Sequence, residues 1–332
     1  MASLRSLSSF RPDNFTLAIV ATVALASVLP ASGVAARAVH VATIFAIALL
    51  FFLHGARLSR EAVLSGALHW RLHLVVLCST FVLFPLLGLA LRRVLGPVLP
   101  DPLLAGLLFL CLLPSTVQSS IAFTSIAHGN VAAAVCSASL SNLLGIFLTP
   151  ALVALLMNLK GGVSIAAVGA IVLQLLVPFL AGHFLRPWVG GFVGRHRAAV
   201  GFVDRGSILL VVYLAFSEAV LNGIWNVVGV ADLVKLLIVC ALLLALVLAA
   251  TVSAARWLGF DRADEIAIMF CGSKKSLASG VPMAGVLFPL SAVGMAVLPL
   301  LLFHQIQLLA CAALARRYAE SAPAAGAEVA AE

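Results

Sequence analysis

The hydrophobic positions along this chain fall into long runs, each ended by a short group of charged, proline or glycine residues. Ten such runs stand out, at about residues 14–32, 37–56, 69–91, 102–127, 131–157, 163–185, 206–227, 232–256, 264–288 and 291–315. A helix needs about 20 residues to cross the ~30 Å hydrocarbon core of a bilayer, and in lipid the backbone must satisfy its own polar groups. The pattern therefore predicts an all-α membrane protein of ten transmembrane helices. The first run follows Arg5 and Arg11 and precedes small residues near 35–38, which is also the make-up of a cleaved signal peptide.

Two of the runs are interrupted. The fourth is apolar over 102–113 and then reads Pro114, Ser115, Thr116, Val117, Gln118, Ser119 and Ser120 before Ile121. Its apolar part makes only about 18 Å of helix, so the polar stretch lands inside the membrane. Proline removes a backbone donor there, and the freed carbonyls need hydroxyls, an amide or an ion as partners. The ninth run carries a second small and polar stretch, from Cys271 and Gly272 through Ser273, Lys274, Lys275 and Ser276 to Gly280 and Pro282. A kink patched by Ser and Thr would account for either stretch alone. Runs four and nine are five apart, however, and an odd-numbered unit repeated once enters the membrane from the opposite side. The parity predicts two inverted five-helix repeats, 1–160 and 161–318, whose broken crossing helices (spans 4 and 9) build a central transport site. In letters, Thr116-Val117-Gln118-Ser119 aligns loosely with Ser273-Lys274-Lys275-Ser276.

Lys274 and Lys275 lie about ten residues into the ninth run, close to the midplane. A lysine at the centre of a span costs roughly 2.5–3.5 kcal/mol, and adjacent ammonium groups repel, so neither is expected to face lipid or to snorkel. They are candidates to hold a substrate anion, and a desolvated lysine can release its proton during a cycle. The candidate substrate- and ion-binding set is Thr116, Gln118, Ser119, Ser120, Asn142, Ser273, Lys274, Lys275 and Ser276. Glu218 is expected either in a cavity or at the outer interface. Gln174, His183, His304, Gln305, Gln307, Ser137, Ser139 and Ser141 read as helix-packing hydrogen-bonders, a role that Asn142 also fits.

Of the 332 residues 63% are hydrophobic and only 10% charged, against roughly 45–50% and about 25% in soluble domains, which leaves no second soluble domain. The net charge of +8 is no nucleic-acid footprint, because no basic run or aromatic-basic interleaving accompanies it. With a cytoplasmic N-terminus, thirteen arginines, among them Arg57, Arg186 and Arg205, fall on the inside and five basic residues on the outside. That excess places both termini in the cytoplasm, with Arg92 and Arg93 against the rule. Arginine outnumbers lysine sixteen to four, the bias of a GC-rich bacterium, hence an expected bacterial inner membrane. Cys78, Cys111, Cys136, Cys240, Cys271 and Cys311 lie in apolar runs without metal-ligand spacing and read as buried small hydrophobes. Residues 319–332 read as a disordered tail. Beyond lipid and an anionic solute no partner is implied, and the oligomeric state is not encoded.

These residues carry a resemblance. The chain is similar to the bile acid:sodium symporter family, most of all to the divergent branch holding its seventh vertebrate member and the bacterial symporters like it. The marks are Phe51-Phe52-Leu53-His54-Gly55, Phe84-Pro85, the stretch 113–130 running on to Thr149-Pro150, and residues 272–282, so the likeness covers nearly the whole chain. It implies a core domain of spans 3–5 and 8–10, a panel domain of spans 1, 2, 6 and 7, and alternating access by motion between them. It also implies sodium ligands around the crossing, with Ser119 and Ser120 near the ligand positions and Thr80, five before Pro85, where a glutamine ligand would stand. Here the chain departs from the pattern. The span-five hydroxyl positions fall on Ala134 and Ala138, the crossing acid on Phe270, and a glutamine-asparagine pair on Lys274 and Lys275. Either the ammonium groups replace bound sodium, or one sodium ion survives on Ser119, Ser120 and nearby carbonyls.

Two functions follow as expectations. One is a secondary active transporter moving a small organic anion by alternating access, coupled to sodium or protons. The other is a non-transporting membrane regulator or scaffold, favoured by the missing hydroxyls and acid and opposed by the retained lysines. An intramembrane hydrolase would need Ser119 or Ser276 beside a base such as His304, and with no nucleophile motif the chain does not read as an enzyme.

Overall fold

The computed structural model describes residues 14–57, 69–157 and 172–321, and among these only helices and their connections occur. The expectations resting on Arg5, Arg11, Arg60 and Lys160, on a signal peptide, on the first part of run six and on most of the tail lie outside the described residues. The helices are α1 (Asn14–Val28), α2 (Gly33–Arg57), α3 (Trp70–Leu95), α4 (Asp101–Leu112), α5 (Val117–Ile126) and α6 (Val131–Leu156). They continue with α7 (Val177–Arg195), α8 (Arg197–Leu221), the short α9 (Ile224–Val227), α10 (Val230–Trp257), α11 (Arg262–Gly272), α12 (Leu277–Leu287) and α13 (Leu290–Glu320).

Six of them, α2, α3, α6, α8, α10 and α13, are long and apolar enough to cross a membrane, seven if α4 and α5 are taken as one span bent by 62°. The chain is therefore an all-α, multi-pass membrane protein. By length and composition α1, α7, α11 and α12 fall outside that set.

Both predicted interruptions occur, and each is shorter than the polar stretch that announced it. Pro114 disfavours a helical conformation at the residue before it, so α4 stops and Leu113 turns extended (ψ 155°). Thr116 is extended as well (ψ 131°), and the helix restarts at Val117 with Gln118, Ser119 and Ser120 already inside it. In the second break Ser276 is extended (ψ 111°) and caps α12 by accepting from Ser279 N, while Pro282 sits within that helix. The breaks are thus 113–116 and 273–276, which pairs Lys275 with Ser115 and moves the alignment by letters three residues along.

A third irregularity lies in α3. Residues Ser79–Leu83 form a π-turn in which Phe84 N bonds back five residues to Ser79 O. The next residue, Pro85, has no N–H to give, so the Thr80 carbonyl is left without a helical donor.

Helices α3–α6 pack with α10–α13, through contacts such as α4 with α13, α5 with α11 and α3 with α11. Helices α1, α2, α7 and α8 pack on one another, and α8 touches α12 and α13. The α2–α7 contact is backbone to backbone. A Cβ on Gly55 would collide with Phe179 O and one on Gly182 with Phe52 O, which explains the glycine closing the Phe51 to Gly55 motif. Of the six cysteines five are buried as expected, whereas Cys78 is exposed on α3.

Candidate functional site

The two breaks cross and exchange hydrogen bonds. Ser276 N donates to Pro114 O (2.8 Å), Thr116 Oγ1 to Lys275 O (2.8 Å) and Ser115 Oγ to Cys271 O (2.5 Å). Each break is also held by the helix that follows its own. Ser141 Oγ of α6 accepts from Ser115 N (3.0 Å), and Gln307 Oε1 of α13 accepts from Lys275 N (3.0 Å). Gln307 Nε2 returns to Lys275 O (3.1 Å), so one amide clamps both sides of a peptide. Thr149 Oγ1 and Ser79 Oγ serve the carbonyls of Leu112 and Gly272, where the two half-helices end. In lipid each of these groups, left unpaired, would cost several kcal/mol.

Lys275 completes the crossing. Its ammonium has three N–H donors and uses them on Thr80 O (2.9 Å), Cys111 O (3.0 Å) and Leu113 O (2.7 Å). One is the carbonyl orphaned by Pro85, and the other two belong to the end of α4, the negative pole of that helix. The same nitrogen lies 4.1 Å from the Phe84 ring centroid. Lys274 Nζ donates to Ser119 O (3.0 Å) and lies 3.9 Å from the centroid of Phe123 and 4.9 Å from that of Phe270. Aromatic faces attract desolvated cations by about 2 kcal/mol. Both lysines are fully buried, and among the described residues neither meets a carboxylate.

The environment matches the departures from the family pattern. Ala134 and Ala138 belong to a buried apolar cluster with Ile268 and Cys271, and Phe270 presents a ring to Lys274 where the resemblance places an acid. Ser119 and Ser120, the candidate sodium ligands, are differently engaged. Ser120 Oγ donates to Phe270 O (3.0 Å), whereas Ser119 Oγ is buried without a protein partner and its carbonyl takes the Lys274 ammonium. Thr80 contributes its carbonyl alone, since its hydroxyl bonds back to Val76 O (2.8 Å), and Ser273 Oγ likewise bonds back to Met269 O (2.6 Å).

Beside the crossing lies a cavity of about 460 Å³. It brings together Thr116, Gln118, Ser119, Asn142 and Ser276 from the predicted set; Thr80, Ser120, Ser273, Lys274 and Lys275 are not in its lining. The expectation that the ammonium groups face the chamber is corrected here: Lys275 turns to the carbonyls of Thr80, Cys111 and Leu113, and Lys274 to that of Ser119. The cations on the wall are instead Arg57 from the end of α2 and Arg205 from α8, with His54 and His304 nearby. Arg57 NH1 pairs with Asp204 Oδ2 at 2.8 Å. A wider space of about 900 Å³ adjoins it, sharing Arg57 and Gln118 and adding His183 and Arg186. Along the sequence these arginines carry only a topology signal. What could have pointed to them is that Arg57 follows the Phe51 to Gly55 motif by two residues. Glu218 lies outside this site, its Oε1 accepting from Asn222 Nδ2 near the end of α8 (3.2 Å).

Comparison with known proteins gives the family. The model of the SBF-like CPA transporter family matches residues 13–320. The chain is 60% identical over 312 residues to the uncharacterized protein PA2026 of Pseudomonas aeruginosa, covering 93% of this chain and 94% of that one. It is 59% identical over 308 residues to the Escherichia coli K12 protein named "Putative symporter YfeH", with 92% of each chain covered. Similarity extends to the Danio rerio protein named sodium/bile acid cotransporter 7, at 28% identity over 310 residues, 91% of this chain and 92% of that protein. The chain belongs to the SBF-like CPA transporter family, a family of transporters rather than enzymes, on the divergent branch of bile acid:sodium symporters that its sequence resembles.

Proposed function

We propose that this protein is a secondary active transporter moving a small organic anion across a bacterial inner membrane by alternating access. The single observation that carries the reading is the pair of broken helices crossing beside a cavity of about 460 Å³ whose walls come from both groups of packed helices. The anion preference rests on Arg57, Arg205 and Arg186 around that space, with Lys274 behind the wall at Ser119.

The same proposal includes ten spans in two inverted repeats, 1–160 and 161–318. The pairing of Ser115 with Lys275, each held through its N–H by the helix after the break, supports it. Helices α3–α6 and α10–α13 form the core domain, and α1, α2, α7 and α8 form the panel that moves against it. With both termini in the cytoplasm, the arginine-lined space opens to the cytoplasm and the conformation is inward-facing. Coupling is to sodium or protons, and the ammonium groups on the crossing carbonyls favour protons, since a cation already occupies that place.

Proteoliposomes test the reading. Uptake of short-chain carboxylates driven by an imposed pH gradient, and reduced at least tenfold in Arg205→Gln, is the expected result. Folded protein that moves no anion under either a pH or a sodium gradient would refute it.

A further inference from the structure

Four buried side-chain atoms among the described residues have no hydrogen-bond partner in the protein: Ser119 Oγ, His183 Nδ1, Asp204 Oδ1 and Ser217 Oγ. Buried polar atoms are nearly always paired, so each asks for an explanation. Two of the four belong to residues in the wall of the cavity of about 460 Å³, Ser119 and Asp204.

Asp204 is 7% exposed. Arg57 engages its Oδ2, and the other carboxylate oxygen is left over. An ionised carboxylate only accepts, so what completes it is an N–H or O–H donor.

The same cavity also asks for an anion. Arg205 lines it and forms no ion pair with a described carboxylate, its guanidinium carbon standing 5.9 Å from the Phe15 ring centroid. Val117, Gln118 and Ser119, the first turn of α5, form part of the wall. That turn has no side-chain cap, the Thr116 hydroxyl being turned toward Lys275 O. Uncapped N–H groups at a helix start attract anions, and the Lys274 ammonium on Ser119 O adds to the field.

We infer that the cavity recognises a carboxylate bearing an amino or hydroxyl group close to it. Arg205 and the start of α5 take the carboxylate, the Asp204 carboxylate and the Ser119 hydroxyl turn to take the donor, and Phe179, Ile208 and Leu143 take the hydrocarbon chain. A plain carboxylate leaves Asp204 unsatisfied and brings two like charges together; a neutral donor leaves Arg205 unused. The volume suits a molecule of that size. This inference rests on the cavity being the substrate site proposed above.

The test is thermal stabilisation of the purified full chain by hexanoate, 2-hydroxyhexanoate and 2-aminohexanoate. The hydroxy and amino acids are expected to half-saturate at a concentration about ten- to a hundredfold below hexanoate, the factor for one charge-assisted hydrogen bond. Asp204→Asn should bring the three compounds within about threefold, and Arg205→Gln should weaken all of them. If Asp204→Asn does not fold, Ser119→Ala and the wild-type comparison decide. Equal stabilisation by all three, no stabilisation by any, or undiminished discrimination in a folded Asp204→Asn variant would overturn the inference. Discrimination in binding without movement in proteoliposomes would remove the transport reading and leave this one standing; movement without discrimination would do the reverse.

Discussion

At the crossing of α4–α5 with α11–α12 the two breaks are answered from within: Ser115 and Thr116 donate to carbonyls across it, Lys275 spends all three N–H donors on carbonyls, and Gln307 holds both sides of its peptide. In the neighbouring cavity Ser119 Oγ and Asp204 Oδ1 are unanswered, and Arg205 has no carboxylate partner among the described residues. The difference separates two jobs that look alike in sequence, where both regions are polar residues inside apolar runs. On the transport reading proposed above, saturated hydrogen bonding marks the fixed framework of the core domain, and leftover capacity marks the surface that a solute completes.

The comparison breaks most sharply at Lys275. Lys275→Met would leave three buried carbonyls without a partner, each worth about 1–3 kcal/mol. A loss of about 3 kcal/mol or more in detergent unfolding is expected, and retained stability with lost anion binding would reassign the lysine to the solute. Lys274→Met removes one carbonyl partner and two ring contacts, a loss of about 1–3 kcal/mol by the same assay. Ser115→Ala deletes the hydroxyl bond to Cys271 O and should cost about 1 kcal/mol. Gln118→Ala, whose side chain is exposed in the cavity, should change stability by less than about 0.5 kcal/mol while reducing uptake, which separates the two regions in one variant.

Much of the crossing was legible in the chain itself. Pro114 dictates an extended Leu113, and the depth of Lys274 and Lys275 follows from counting residues at 1.5 Å each, whereas the orphaned Thr80 carbonyl depends on the π-turn, since in a regular helix Pro85 would free Phe81 O instead. The direction of those side chains was not legible, because residue counting gives depth along a helix and says nothing about which carbonyls another segment turns toward it. The cavity arginines were hidden for a related reason. A basic residue near the end of a span satisfies the charge rule wherever it points, and only the packing of α2 on α8 joins Arg57 to Asp204 across 147 residues.

The most direct test of the central claim, that the protein's own ammonium groups occupy the cation positions of the crossing, is the unfolding midpoint of wild type and Lys275→Ala in sodium and choline chloride at equal ionic strength. The account predicts that the wild-type midpoint is the same in both salts and that sodium raises only that of Lys275→Ala, by settling among the vacated carbonyls. A sodium-dependent rise in the wild type would contradict it.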